Sequence, residues 1–113
     1  MSELDPGVLV SAVDLEVPLE PVPAEQIVSG EPQTGSIDLD EDLGIGVWEM
    51  TPGAMRDTEI EEVFVVIAGE AVVEFTDRAL APIELTPGAV VSLTAGMRTI
   101  WTVTKTLRKV YLV

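Results

Sequence analysis

From Gly44 onward, short apolar runs alternate with turn residues. GIGVWEM (44–50), EVFVVIA (62–68), EAVVEF (70–75), IEL (83–85), VVSLT (90–94), TIWTVT (99–104) and LRKVYLV (107–113) are rich in β-branched and aromatic side chains. Such residues suit a pleated, half-buried surface, so each run predicts a strand. Between them stand TPG (51–53), Gly69, TDRALAP (76–82), TPG (86–88) and AGM (95–97), with Gly69 expected to turn a hairpin. Seven short strands punctuated this closely predict a β-sandwich or small barrel. No segment sustains the 3.6-residue period of a long amphipathic helix.

The N-terminal part reads differently. Pro18, Pro21, Pro23 and Pro32 interrupt VLVSAVDLEVPLEPVPAEQIVSGEP, and proline removes a ladder donor while disfavouring helix in the residue before it. Val8 to Leu19 is expected to be an extended edge arm, and Ile27–Ser29 a short strand ended by Gly30. The predicted organisation is an arm over residues 1–23 and one domain over 24–113. Alternating Val8, Val10, Val13, Leu15 and Val17 give the arm apolar faces too short to fold alone, so it is expected to pair with a sheet edge across a two-fold homodimer. TGSIDLDEDLG follows, with Asp38, Asp40, Glu41 and Asp42 close together. The spacing D-x-D-E-D resembles a calcium loop but lacks the central Gly and the bidentate Glu, so a solvated loop is expected.

Composition narrows the chemistry. The chain has 113 residues, 47% of them hydrophobic, enough for one domain with one core. It contains no Cys and no His, which removes thiolate chemistry, the commonest transition-metal ligand and the usual general base near neutral pH. No apolar run approaches the roughly 20 residues of a membrane helix, and MSELDPG has neither the basic nor the apolar region of a signal peptide. A cytoplasmic protein is expected. The formal charge is -14, and residues 1–55 hold twelve acids and no base. Such a surface repels phosphate backbones and anionic membranes, which argues against nucleic-acid or lipid partners.

The order of the turns carries a resemblance. Glu62, six residues and Gly69, then Gly88, five residues and Thr94-Ala95-Gly96, resemble the two signature motifs of the RmlC-like cupin superfamily, with Thr94 where the second motif usually has Pro. Val28-Ser29-Gly30-Glu31-Pro32, Gly46-Val47-Trp48 with Pro52-Gly53, Glu61-Glu62-Val63-Phe64, Gly96-Met97-Arg98 leading to Trp101, and Arg108-Lys109-Val110-Tyr111 are similar to small single-domain cupins of the ureidoglycine aminohydrolase group. The resemblance implies an all-β double-stranded β-helix, a jelly-roll barrel whose mouth usually binds a metal and a small polar substrate. Its ligands usually come from H-x-H-x(3 or 4)-E in the first motif and a His after the Gly of the second. Counting from Glu62 and Gly96 places Arg56, Thr58 and Thr99 at the His positions, so only the carboxylate matches.

The candidate site residues follow from alternation. If Glu62 faces the barrel interior, Phe64 and Val66 face it too, while Glu61, Val63 and Val65 face away. Glu59 and Glu61 are then expected at the rim or in solvent. Lys109 and Tyr111 share one face of the last strand, either in the cavity or outside. Trp48 and Trp101 are either core or the aromatic walls of a pocket. A buried carboxylate needs a partner, so Arg56 or, failing it, Lys109 is expected within hydrogen-bonding reach of Glu62.

The expected function is binding of a small polar metabolite in the barrel without a metal cofactor, the reaction unassigned. Glu62 is the candidate acid or base; Arg56 or Lys109 anchors a ligand carboxylate, and Trp48, Trp101, Thr99 and Tyr111 complete the site. A non-catalytic sensor or structural dimer with a plugged barrel is the alternative. A metalloenzyme with carboxylate ligands ranks behind both, because one inward carboxylate and two Thr hydroxyls make a poor set for magnesium or calcium.

Overall fold

The structure, a computed structural model, describes residues 4–113. Its strands are β1 (Glu20–Pro21), β2 (Ile27–Ser29), β3 (Gln33–Asp40), β4 (Ile45–Met50), β5 (Gly53–Thr58), β6 (Glu62–Phe75), β7 (Ile83–Leu85), β8 (Val90–Leu93) and β9 (Arg98–Leu112). A 3-10 turn, Ala24–Gln26, precedes β2. No helix among the described residues is long and apolar enough to cross a membrane.

Two long strands organise the fold. The first half of β6 and the second half of β9 lie in one layer, which runs β1-β3-β4-β9-β6-β8. Their other halves lie in a second layer, which runs β2-β5-β9-β6-β7. Every pairing is antiparallel, and the two layers curl into the expected jelly roll.

The expected hairpin at Gly69 does not form; β6 runs straight through it, and β9 likewise joins two predicted strands into one. Register shifts between Val66 and Ala68, Ala68 and Glu70, and Glu70 and Ala71 bend the paired ribbon instead. Bulges of this kind turn a strand without ending it. Gly69 sits at that bend with φ 93°, where any Cβ would collide with the Thr106 carbonyl. Its glycine marks a close approach between strands, not a chain reversal.

Two further strands stand outside the predicted apolar runs. The acidic stretch forms β3, with Leu39 buried and Ile37 half-buried on one face and Ser36 and Asp38 on the other. Only Glu41–Gly44 turns, held by the Leu43 amide donating to Asp40 Oδ1 at 3.0 Å. After Pro52, residues 53–58 form β5 between β2 and β9, because pairing on both sides outweighs the weak local signal.

The core lies between the layers. Phe64, Val66, Leu85, Leu93, Trp101 and Leu107 are each no more than 1% exposed, and Met50, Met55, Val73 and Val103 pack with them. Each such large apolar side chain contributes about 1.5–3 kcal/mol through burial. A smaller cluster, Val17, Leu39 and Val47, lies on the outer face of the first layer. There the N-terminal arm folds onto its own sheet, with Val10, Leu15 and Leu19 against Ile37, Ile45 and Val110. Arg108 fastens it, donating to the carbonyls of Ala12 and Val13 at 3.0 Å while pairing with Glu49. The arm covers a sheet face; only Glu20–Pro21 joins an edge.

Candidate functional site

Alternation along the inner faces brings polar residues to one end of the barrel. In β4, Trp48 and Gly46 face inward opposite Lys109 and Tyr111 of β9. Ser36 and Asp38 of β3 pair with Trp48 and Gly46, extending the same rows to the mouth. Glycine at 46 leaves the room Tyr111 fills, since a Cβ there would meet its ring. On the other layer, Asp57 pairs with Thr99 and Met55 with Trp101. These strands border a cavity of about 390 Å³ lined by Asp38, Trp48, Asp57, Glu59, Glu62 and Lys109, among others.

Lys109 is the centre of this end. It is 5% exposed, and its Nζ donates to Glu62 Oε2 at 2.5 Å. The ammonium also lies 4.4 Å from the ring centre of Phe64, 4.7 Å from Trp48 and 4.8 Å from Trp101. Three aromatic faces and one carboxylate therefore replace the water it has lost. Lys109 and Tyr111 thus face the cavity, Glu62 faces it together with Phe64 and Val66, and Lys109 is the partner Glu62 was expected to need.

Arg56 is not that partner. It alternates with Met55 and Asp57 in β5, so it faces outward, exposed, where Nη1 donates to the Glu25 carbonyl at 3.2 Å. The expected register along the first motif is one residue out. Asp57 and Glu59 stand at the inward positions assigned to Arg56 and Thr58, and Thr58 is exposed.

Glu59 is also not at the rim. It is 8% exposed, and its Oε2 accepts from Thr99 Oγ1 at 2.5 Å and Trp101 Nε1 at 2.9 Å. Its backbone is clamped to the turn before β9, donating to the Met97 carbonyl and accepting from the Gly96 amide. Glu61 does face away, accepting from the Ala95 amide at 3.1 Å. Thr99 is fully buried and orients Glu59, while Trp101 both lines the cavity and belongs to the core. Trp48 is half-buried beside it, the two ring centres 5.5 Å apart.

A family model, the EutQ-like cupin domain, matches residues 39–111, well over half the chain, including β4 to β8 and all but the last residue of β9. The chain belongs to the EutQ-like cupin domain family. This cupin resembles a Pseudomonas syringae protein of unknown function from the DUF861 family at 26% identity and TM-score 0.73, over 88% of this chain and 44% of that one. It therefore spans less than half the length of that relative. It also resembles the Clostridium difficile EutQ protein at 21% identity and TM-score 0.61, over 95% of this chain and 80% of that one. A cupin-like protein of Thermotoga maritima matches at 14% identity and TM-score 0.62, over 88% and 78% of the two chains. No curated protein matches.

The cupin resemblance implies a metal, and the donors of this cupin do not fit one. It has no His, Lys109 occupies Glu62, and Glu59 Oε2 already accepts two hydrogen bonds. Among the described residues, no group of three metal-ligating acids, Cys or His side chains is arranged around one point. An ammonium beside the family carboxylate would repel a second cation in the same place.

Two groups at the mouth have displaced proton affinities. Burial, then the hydrogen bond donated to Asp38 at 3.0 Å, push the Tyr111 hydroxyl up to about 12, so it stays a donor. Burial first and the Glu59 charge second raise Asp57 from 3.8 to about 6, against the hydrogen bond its carboxylate accepts from the Thr58 amide. The folded protein thus holds this proton more tightly than the unfolded chain. The stability Asp57 contributes is complete below 3.8 and is lost as pH rises through about 6. Asp57→Asn, which keeps an acceptor for the Thr58 amide, is expected to raise the melting temperature at neutral pH and to leave it unchanged below 3.8. Thermal melts of both proteins across that range check it; a gain independent of pH would assign the effect to packing.

Proposed function

We propose that this cupin is a non-catalytic binding domain whose barrel mouth takes a small polar molecule through a protonated amine, with Lys109 in place of a metal. The observation that carries the proposal is the charge balance of the cavity. Four carboxylates, Asp38, Asp57, Glu59 and Glu62, border it against one cation, and that cation is already paired. An incoming ammonium group would meet Asp57 and Asp38 at the open side and the exposed part of Trp48, favourable partners for a cation. Its arrival would also relieve the repulsion between Asp57 and Glu59.

The acid–base candidates expected from the sequence, Glu62 and Lys109, are consumed by one another, and Asp57 is the remaining carboxylate that meets the amine. Glu62 and Lys109 have side chains only 11% and 6% exposed and satisfy each other behind Trp48, Phe64 and Trp101. A general acid or base has to reach the substrate proton directly or through one water. The narrower kinship with the ureidoglycine aminohydrolase group belongs to this proposal, supported by the ordered motifs between Val28 and Tyr111.

A thermal-shift panel of small primary amines and matched carboxylic acids tests it. An amine at about 100 times its dissociation constant should add roughly 2.7 kcal/mol of stability. That gain is expected to disappear in Asp38→Asn with Asp57→Asn and to weaken below pH 6, where Asp57 takes up its proton. Stabilisation by the acids alone would overturn amine binding, and turnover of a bound amine would overturn the non-catalytic part.

A further inference from the structure

Six basic residues stand against twenty acids, and four of the six are spoken for. Arg78 pairs with Asp77, Lys105 with Glu70, Arg108 with Glu49 and Lys109 with Glu62. Arg56 and Arg98 have no ion-pair partner among the described residues. Both border the same cleft, about 500 Å³ in volume, which adjoins the barrel mouth and shares Asp57 and Thr58 with its lining.

Their placement follows from the register of β5 and β9. Arg56 lies opposite Ile100 and Thr58 opposite Arg98, so the two arginines are diagonal neighbours on the outward face, with backbones about 7–8 Å apart. Thr58 adds an exposed hydroxyl at the cleft, and Thr76 donates both its amide and its hydroxyl to the Arg98 carbonyl, fixing that end. Glu25 forms another part of the wall, but it meets Arg56 through its backbone carbonyl and not its carboxylate. Asp57 also lines the cleft, at a position whose inward neighbours are Met55 and Thr99.

Both guanidinium groups border this cleft without an ion pair, although the chain carries -14 and Asp57 and Glu25 stand on its wall. We propose that this cleft is a second ligand site, adjoining the amine site of the mouth at Asp57, in which Arg56 and Arg98 bind one oxyanion group, carboxylate or phosphate, of a small molecule. The guanidinium forks match the oxygen spacing of either group, and the Thr58 hydroxyl supplies a further donor. The ligand is small because the field of the whole protein repels an extended polyanion.

Amide NMR titrations of the full chain with inorganic phosphate and with succinate test the proposal. Saturable shifts at Thr58, Thr76 and Arg98 are expected, weakening as sodium chloride is added. Arg56→Gln and Arg98→Gln should each lower affinity by about tenfold or more, the loss of a charge-assisted hydrogen bond. Arg98→Lys, which keeps the charge and loses the fork, should fall between. Asp38→Asn should leave the titration unchanged, which separates this site from the mouth. Saturation by phosphate alone assigns a phosphate-bearing ligand, and by succinate alone a carboxylate. No saturable shift with either anion, or equal affinity in wild type and both Gln variants, overturns the proposal.

Discussion

Trp101→Ala is expected to destabilise the fold by about 3–5 kcal/mol, the range for deleting a buried aromatic from a close-packed core. The side chain is 1% exposed and lies in one row with Met55 on β5 and Val73 on β6. Its ring centre is 5.7 Å from that of Phe64 and 5.5 Å from that of Trp48, so its removal opens a cavity bounded by side chains from both layers. Two polar losses add to the cavity. Glu59 loses the indole donor at 2.9 Å, and Lys109 loses one of its three aromatic faces. Trp101→Phe separates the contributions in part, because it keeps an aromatic ring in the core but removes the N–H together with part of the indole; about 1–3 kcal/mol is expected for leaving a buried carboxylate short of a donor, with a smaller cavity loss than in the alanine variant. Denaturant melts measure both. A loss below about 1 kcal/mol for the alanine variant would place the indole outside the core and make it purely a wall of the binding cavity.

The strands that alternate cleanly can be read from the sequence. Ile27–Ser29, Ile45–Met50, Ile83–Leu85 and Val90–Leu93 lie within a residue of their apolar runs. What hides is whatever tertiary pairing decides. Gly69 looks like a hairpin glycine because a local signal does not distinguish a reversal from a bulged bend. The polar β3 looks like a loop because its apolar residues, Ile37 and Leu39, face the arm and not the main core.

The site divides in the same way. Lys109, Tyr111 and Glu62 follow from period-two alternation within single strands, and their convergence is legible to that extent. Asp57 and Glu59 are missed because the alternation is broken between β5 and β6. Glu59, Ile60 and Glu61 are not strand, so Glu59 and Glu62 both point inward although they are three positions apart, a spacing that strict alternation would put on opposite faces. Only the backbone clamp of Glu59 to Gly96 and Met97 sets that geometry, and it joins residues far apart in the chain. A count of residues back from Glu62 carries no trace of it.

The same buried charges set the second large effect. Lys109→Met is expected to cost about 3–5 kcal/mol, because it leaves the Glu62 carboxylate in a site built around an ammonium. The side chains of the pair are 6% and 11% exposed, so water does not replace the lost partner, and salt screens the interaction little. The two halves of the pair are unequal. The Glu62 carboxylate hydrogen-bonds only to Lys109 among the described residues, whereas Lys109 keeps three rings within 4.8 Å when the carboxylate is gone. Glu62→Gln should therefore cost less than Lys109→Met, and Lys109→Met combined with Glu62→Gln should recover part of the loss, since a neutral amide against Met, Trp48 and Phe64 carries no buried charge. Acid gives an independent check of sign. In Lys109→Met the uncompensated Glu62 binds its proton more tightly in the folded state than in the unfolded one, so the deficit of that variant should shrink as pH falls. Denaturant melts of the four proteins at neutral and acidic pH complete the cycle. If Lys109→Met and the double variant lose the same stability at both, the two charges are not coupled, and the ammonium is held by its aromatic neighbours alone.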